Sequence, residues 1–481
     1  MSGERSATPS GPWPQTRVVV AGIGVSGFAA ADALVHLGAT VTVLDDRAGD
    51  EQREKATVLE ILGADVRLGP GATDQVPGGT DLVVTSPGWR PTTPLLVDAQ
   101  RRGIPVWGEV ELAWRLRAPD RGAPWLCVTG TNGKTTTVQM LAAMLRAAGL
   151  RATAAGNVGT PLLEAVLHPE PYDVLAVELS SFQLHWSSTL SAQASVVLNI
   201  AEDHVDWHGS MEAYAKDKGR VYENTQRACV YNVADPVTER LVREADVVEG
   251  CRAVGFTLGV PSVGMLGVVD GMLADRAFVD ARATHAAELA GVDDVRPAAP
   301  HNVANALAAA ALARAHGVPP AAVRTGLRDF TPDEHRIATV AEVGGVRYVD
   351  DSKATNPHAA AASLSAYDPV VWVAGGLAKG ARFDDLVRAA RDRLRAVVLL
   401  GADRGVIADA LARHAPEVRA IEVDDTETGV MDRVVAAAAE MARPGDTVLL
   451  APGCASMDMF ANYAVRGDAF AAAVRRLPGG R

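Results

Sequence analysis

Lysine is scarce in this 481-residue chain. Only six of its 46 basic residues are lysine (Lys55, Lys134, Lys216, Lys218, Lys353 and Lys379), and the other 40 are arginine. Where an exposed positive charge suffices, arginine supplies it. A lysine in this background is therefore enriched for tasks a guanidinium cannot do, such as point-charge contact with phosphate or chemistry on a neutral amine. Four of the six fall inside stretches singled out below on other grounds. Cysteine is scarce too. Cys127, Cys229, Cys251 and Cys454 lie far apart with no CxxC pair, which argues against zinc or redox chemistry and fits a reducing cytoplasm. No uninterrupted apolar run reaches the roughly 18 residues of a membrane span, so none is expected. Basic excess is also missing. A net charge of −12 disfavours a nucleic-acid backbone as partner. Met1 to Gln15 is rich in Ser, Pro and Gly without an apolar core, which predicts a disordered tail and not a signal peptide.

What is present describes an ordinary globular chain, 48% hydrophobic and 22% charged. Its length predicts roughly three domains. The stretch the chain is organised around is Trp125-Leu-Cys-Val-Thr-Gly130-Thr-Asn-Gly133-Lys134-Thr135-Thr136. An apolar run ending at Thr129 reads as a buried strand, and a glycine turn leads into a helical pattern from Lys134 to Ala148 that Gly149 stops. This is the layout of a phosphate loop. Amides of Gly130, Thr131, Asn132 and Gly133 converge on an anion, Lys134 reaches terminal phosphates, and the Thr135 hydroxyl, with Thr136 beside it, suits Mg²⁺. The spacing is the shorter G-x-x-G-K-T-T, since Val128 stands where the longer pattern has glycine. ATP is the expected ligand, against a plain glycine-rich turn with an exposed lysine.

Upstream, a strand from Arg17 runs into Gly22-Ile-Gly24-Val25-Ser26-Gly27 and an alanine-rich helix to Leu37, closed by Gly38. A second strand, Thr40 to Asp45, ends in Asp45-Asp46. Alone, this G-x-G-x-x-G with an acid about twenty residues on is the dinucleotide fingerprint, so an NAD-dependent oxidoreductase is the natural rival. A third parallel strand, Asp81 to Thr85, delivers Ser86-Pro87-Gly88, and the domain closes near Val106-Trp107-Gly108. Past the phosphate loop, a strand from Tyr172 delivers Glu178, placed to hold Mg²⁺ directly or through water. The strand Ser195 to Ile200 leads to Glu202-Asp-His204-Val-Asp206-Trp-His208, an acid/histidine loop that looks like a site although His208 has no assigned task. A helix from Met211 carries Lys216 and Lys218, and spacing does not choose between them. Asn302 and Asn305 open a long helix ending at Gly317; Asn305 suits a purine edge, and capping by Asn302 is an equal alternative. Gly326 to Asp333 reads as the exit from the domain.

The remaining chain reads as a second doubly wound sheet. Val340 to Val349 predicts a hairpin with a Gly344-Gly345 turn, followed by strands at 370–374, 396–400, 419–423 and 447–450 separated by helical patterns. Its strand ends carry Asp350-Asp351-Ser352-Lys353-Ala-Thr355, Gly375-Gly-Leu-Ala-Lys379, and Ala451 to Phe460, the expected substrate edge of an open α/β sheet.

Together these stretches resemble the Mur ligases of peptidoglycan synthesis. Gly130-Thr-Asn-Gly-Lys-Thr-Thr, Glu202-Asp-His, His335-Arg336 and Asp351-Ser-Lys-Ala-Thr-Asn stand in that family's order, and the likeness runs from Arg17 to the C-terminus. Gly375-Gly-Leu-Ala-Lys379 and Cys454-Ala-Ser-Met-Asp-Met-Phe460 are similar to the members that add D-glutamate, and the Asp-Asn-Pro-Arg motif of the diaminopimelate-adding relatives does not occur. The resemblance implies an α/β protein of three domains: a Rossmann-like UDP-substrate domain at 1–108, a phosphate-loop ATPase-like domain at 109–331, and a Rossmann-like amino-acid domain at 332–481. It also implies an ATP-dependent ligase, cytoplasmic and monomeric, that joins D-glutamate to UDP-N-acetylmuramoyl-L-alanine through an acyl phosphate. Domain closure would keep water from that intermediate.

On the same resemblance, Gly24, Val25, Ser26 and Gly27 face the diphosphate, Asp45, Asp46 and Arg47 the uracil side, and Ser86, Pro87 and Gly88 line the same cleft. Lys218 matches the family's carbamylated lysine in Lys-x-Arg-x-Tyr. With Thr135, Glu178 and His204 it would hold Mg²⁺, two ions in all. Asn157 would touch the nucleotide-sugar substrate, and Asn305, Arg336 and Asp351 would hold ATP. Lys353, Thr355, Lys379, Ser456 and Tyr463 would hold substrate on the amino-acid side; the family often has phenylalanine at the place of Tyr463. The oxidoreductase reading leaves Lys134, Lys218 and Lys353 without purpose. A folylpolyglutamate synthase would lack the first glycine-loop domain, and a non-enzymatic nucleotide-binding module would not need three site-bearing domains.

Overall fold

Short runs rich in valine, leucine and alanine build three sheets of mostly parallel strands. The computed structural model describes residues 13–117, 122–423 and 429–479. The first sheet contains β1 (Arg17–Ala21), β2 (Thr40–Asp45), β3 (Asp65–Leu68), β4 (Leu82–Thr85) and β5 (Val106–Gly108), in the order β3-β2-β1-β4-β5. Every pair in it is parallel. Its middle strands are covered on both faces, which is why they read as unbroken apolar runs. Val18, Val20, Val43 and Val84 pack with Leu34 of the helix Val25–His36, all at most 2% exposed. Each such side chain contributes about 1.5–3 kcal/mol on burial. The predicted third strand is thus fourth in chain order, because β3 is half-exposed and lacks an apolar signature.

The second sheet has nine strands. They are β6 (Trp125–Thr129), β7 (Ala152–Gly156), β8 (Val174–Glu178), β9 (Ala194–Val197), β10 (Ala228–Asn232), β11 (Arg252–Phe256), β12 (Met265–Val269), β13 (Met272–Asp275) and β14 (Ala287–Gly291). Their order is β14-β13-β12-β11-β10-β9-β6-β8-β7. The phosphate-loop strand β6 therefore lies between β8 and β9, and Val128 is in register with Glu178 on one side while Thr129 pairs with Val197 on the other. Strand β7 and strands β10 to β14 were not anticipated; the β12–β13 hairpin turns on Asp270-Gly271, a legible turn pair. The first two sheets belong to one compact unit, with residues 204–290 and 306–327 in it.

The other compact unit holds residues 201–203, 291–305 and 328–481. Its sheet comprises β15 (Ala338–Val343), β16 (Val346–Asp350), β17 (Val370–Gly375), β18 (Leu394–Leu400), β19 (Arg419–Glu422) and β20 (Thr447–Leu450), in the order β15-β16-β20-β17-β18-β19. Only the predicted β15–β16 hairpin is antiparallel. Trp372, on β17, is fully buried and its indole N–H donates to Ala451 O at 2.8 Å.

Three expectations are corrected. The proposed tail is ordered at its end: Trp13–Gln15 forms a 3₁₀ turn whose Trp13 packs on the first core, while residues 1–12 lie outside the described residues. Gly326 is interior to the helix Pro320–Asp329, where a Cβ would lie 2.5 Å from the backbone of Met144, so it serves close helix packing, and the first compact unit ends one residue later, at Leu327, inside the segment read as the domain exit. Asn302 does not cap, since the helix Pro300–His316 starts before it. The cysteines are not all apart: parallel pairing of β10 with β11 brings Cys229 Sγ to 3.8 Å from Cys251 Sγ.

Candidate active site

Strand β6 ends in a loop that cannot be built without glycine. Gly130 has φ +150° and Gly133 φ +84°, the left-handed region, and Lys134 opens the helix Lys134–Ala147 directly after. Asn199, beyond the end of β9, clamps the loop. Its Oδ1 accepts the Asn132 N–H at 2.9 Å and its Nδ2 donates to Asn132 O at 3.1 Å. Thr131 N–H donates to Asn199 O at 2.9 Å. Neither spacing nor periodicity pointed to Asn199. The Thr135 and Thr136 side chains are nearly buried at the first turn of the helix.

The two lysines predicted from different stretches meet at one atom. Lys134 Nζ donates to Gly130 O at 3.0 Å and to Thr131 O at 3.0 Å, and Lys218 Nζ donates to the same Gly130 O at 2.9 Å. Lys218 is 2% exposed and lies over the Tyr214 ring, whose hydroxyl is 3.1 Å from Thr131 Oγ1. Lys216, two residues earlier, is exposed.

Glu178 sits at the end of β8, beside the same loop. Its Oε1 accepts from Asn157 Nδ2 at 2.9 Å, while Oε2 is buried with no hydrogen-bond partner among the described residues. An orphaned buried carboxylate oxygen next to a phosphate loop suits a hard cation such as Mg²⁺. His204 has φ +53° and opens the short helix Val205–His208, with its ring 4.8 Å from that of Phe182. Behind these residues stands a cluster the sequence did not reveal. Asp217 Oδ2 accepts from His185 Nδ1 at 2.8 Å and from His208 Nδ1 at 2.9 Å. Burial pushes the Asp217 carboxyl up, but hydrogen bonds from the two imidazoles and the charge of Arg220 outweigh it and bring it down to about 2.

In the first sheet the glycine loop divides its labour. A Cβ at Gly27 would lie 1.8 Å from Gly22 O, whereas one at Gly24 would meet nothing within 4 Å. The loop thus needs Gly27 for its own packing and leaves open space over Gly24. Val25 is 71% exposed there. Ser86 Oγ, 2.8 Å from where a Gly22 Cβ would be, is buried without a hydrogen-bond partner among the described residues, a polar group of the kind a ligand uses. Pro87 and Gly88 continue its loop. Asp45 is held within its own turn. Its oxygens take the N–H groups of Ile23 at 3.0 Å and Arg47 at 2.9 Å and the Arg47 guanidinium at 3.2 Å, so the acid shapes the turn. Asp46 likewise accepts from Thr73 N at 3.1 Å. Glu109, unanticipated, is buried against Ser26 and the amides of Leu162 and Leu163, and burial pushes its carboxyl up.

In the other unit the three strand-end loops come together. Leu377 and Ala455 exchange backbone hydrogen bonds at 2.9 and 3.0 Å, joining the Lys379 loop to the Ser456 loop. Arg466, 1% exposed, donates to Ser352 O at 2.8 Å and Cys454 O at 3.1 Å and so ties the Asp351 loop to them. Lys353 Nζ stands 3.8 Å over the Tyr463 ring, Ser456 is buried, and Lys379, with φ +50°, is exposed. Thr355 is half-buried in the Asp351 loop. Asp351 is buried, hydrogen-bonded to Ser363, and burial raises its carboxyl to about 6. Arg336 pairs with Asp333 at 3.7 Å, and Asn305 Nδ2 is 3.4 Å from Asn302 Oδ1.

Comparison with known proteins supplies the remaining findings. The Mur ligase MurD-like N-terminal domain matches residues 16–108, the Mur ligase middle domain residues 128–313, and the Mur ligase glutamate ligase domain residues 335–454. The chain is 65% identical over 465 residues to the UDP-N-acetylmuramoylalanine–D-glutamate ligase of Streptomyces avermitilis, covering 97% of this chain and 99% of that one. It is 59% identical over 466 residues to the enzyme of the same name from Thermobifida fusca, covering 96% and 99%. The solved UDP-N-acetylmuramate–alanine ligase of Thermotoga maritima shares the fold, with TM-score 0.55 and 19% identity over 95% of this chain and 98% of that one.

Proposed function

The chain belongs to the Mur ligase family, and from that premise we propose that it joins D-glutamate to UDP-N-acetylmuramoyl-L-alanine, using ATP, in peptidoglycan precursor synthesis. It is an ATP-dependent amide-forming ligase and not an oxidoreductase. The observation that carries the site assignment is the convergence of Lys134 and Lys218 on Gly130 O beside the open Glu178 Oε2.

A carboxylate does not condense with an amine unaided, because its oxygen leaves poorly. In the proposed reaction the alanine carboxylate attacks the γ-phosphorus of ATP, ADP leaves, and an acyl phosphate results. The amine of D-glutamate adds to the acyl carbon, loses a proton, and the tetrahedral intermediate expels phosphate. Loop amides and Lys134 balance charge on the moving phosphoryl group, where positioning and electrostatics supply most of the catalysis. Mg²⁺, two ions in this reading, would be held by Thr135, Glu178, His204 and Lys218 and would supply Lewis-acid stabilisation of the phosphates. Lys218 fits a carbamate: as an ammonium it repels Lys134 at their shared carbonyl, and as a carbamate it would attract it. Residues 1–108 would take the UDP portion through Gly24 to Gly27 and the Ser86 loop, 109–331 ATP, and 332–481 the amino acid, with Lys379 and Ser456 on its carboxylates. No helix among the described residues is long and apolar enough to cross a membrane. A cytoplasmic monomer with small-molecule partners alone completes the proposal.

The test is phosphate release with UDP-N-acetylmuramoyl-L-alanine against a panel of amino acids. Release should require D-glutamate and be negligible with L-alanine, L-lysine or diaminopimelate. Equal turnover with any of these removes the assignment.

A further inference from the structure

Glu178, His204 and Lys218 stand on three separate segments, and two of those segments continue into very short helices. The one after Glu178, Ser181–His185, has five residues, and the one after His204, Val205–His208, has four. Neither length holds a helix by its own propensity. Something else must decide where these segments sit relative to the helix Met211–Gly219 that carries Lys218.

The Asp217 cluster does so. Asp217 lies one residue before Lys218, about 100° around the helix from it. Its side chain is 9% exposed and that of His208 is fully buried. An ionised carboxylate only accepts, so both imidazoles bonded to Asp217 Oδ2 carry a proton on Nδ1. That leaves His208 Nε2 to the Ser181 hydroxyl, 3.0 Å away. Arg220 Nε forms an ion pair with Asp217 Oδ1 at 3.1 Å. The Phe182 ring stacks on His208 at 5.5 Å with 6° between planes, and Trp207 is edge-on to His185 at 5.2 Å. One carboxylate thus bonds to the helix that follows Glu178, to the helix that follows His204, and shares a helix with Lys218. Desolvating an acid and two imidazoles is an expensive way to gain mere stability, since apolar packing does as well. What the charged cluster adds is direction.

We propose that Asp217, gripped by His185 and His208, is a positioning residue that fixes the mutual placement of Glu178, His204 and Lys218 and thereby sets divalent-cation affinity. The inference rests on reading those three residues as cation ligands. Partners behind metal ligands typically change metal affinity 10–100-fold when removed.

The experiment measures Mn²⁺ binding by electron paramagnetic resonance, with a non-hydrolysable ATP analogue present, alongside the Mg²⁺ activation constant, the KM for D-glutamate and the thermal melt. Asp217→Ala should weaken Mn²⁺ binding and raise the Mg²⁺ activation constant by about 10-fold or more while leaving the D-glutamate KM unchanged. Two substitutions at His208 sort position from bulk. His208→Asn keeps a donor where Nδ1 was, facing Asp217, and should stay near wild type. His208→Gln reaches Ser181 instead and should approach Asp217→Ala. Wild-type Mn²⁺ affinity in folded Asp217→Ala overturns the proposal, and so do equal effects of the two His208 substitutions. Should Asp217→Ala not fold, the His208 pair decides alone. If the wild-type protein binds no Mn²⁺ and releases phosphate without Mg²⁺, the ligand reading itself falls, and the inference with it.

Discussion

Lys216 and Lys218 are two residues apart and live in opposite surroundings. Lys216 is exposed, whereas Lys218 is 2% exposed and bonded to Gly130 O. About 200° of helical turn separates them. Scarcity of lysine marked the pair, yet only packing chooses the buried one. Lys218→Arg should be nearly inactive although charge is kept, because a guanidinium neither forms a carbamate nor fits the space of an ammonium. Lys216→Arg should turn over like wild type. Lys218→Ala should regain activity with acetate or formate, which can occupy the vacated oxygen positions. Lys134→Arg should fail without such rescue, since its proposed partner is phosphate. Wild-type turnover by Lys218→Arg would make that lysine an ordinary buried charge.

Among the elements, the first glycine loop makes the sharpest separable claims. Gly24 and Gly27 are identical in sequence terms, but a Cβ has open space at the former and would lie 1.8 Å from Gly22 O at the latter. If the space over Gly24 receives the diphosphate, Gly24→Ala should cost UDP-sugar affinity at least about tenfold, roughly 1.4 kcal/mol, with the melting temperature unchanged. Gly27→Ala should lose both affinity and stability, because the helix Val25–His36 must move off the loop. Calorimetric titration and thermal melts check the pair; undiminished UDP-sugar binding by Gly24→Ala would move the ligand elsewhere. NAD should not bind at micromolar concentration to either variant or to the wild type.

On the scale of the molecule, one buried acid joins the chain leaving the first sheet to the second. Glu111, fully buried, accepts from Ser188 N at 2.8 Å, Thr189 N at 3.0 Å and Thr189 Oγ1 at 2.6 Å, and pairs with Arg115 Nε at 2.6 Å. Every neighbour donates, so Glu111→Gln turns an amide NH₂ toward donors whichever way it flips. It should destabilise the protein by about 3 kcal/mol at neutral pH. Burial pushes the Glu111 carboxyl up, but the bonds from Thr189 and Ser188 and the charge of Arg115 outweigh it, so its pKa is lower folded than unfolded. Such a group stabilises above the unfolded pKa and loses that contribution as pH falls through the folded one. The gap between wild type and Glu111→Gln in unfolding midpoint should therefore narrow on acidification below the ordinary carboxylate range. A gap independent of pH would show that packing, not charge, accounts for it.

Apolar runs, glycine turns and helix patterns are local properties. The chain by itself therefore determined where Trp125–Thr129, Val174–Glu178 and Val370–Gly375 become strands and which loops follow them. It also marked Lys134, Glu178 and Lys353 as residues with work to do, because a phosphate loop and a strand-end acid are defined by neighbours in sequence. Strand order is not local. That β6 lies between β8 and β9, so that Asn199 clamps Asn132, is decided by how whole layers pack. The half-exposed β3, the partly buried β7 and the five strands from β10 to β14 escaped notice for a related reason: their short or interrupted runs gain their burial only from partners. The same holds for Arg466, which meets Ser352 across 114 residues, and for Asp217, which meets His185 across 32. No periodicity links such positions. Only closure of the sheets puts a buried acid where two imidazoles must answer it, and burial is what makes that answer obligatory.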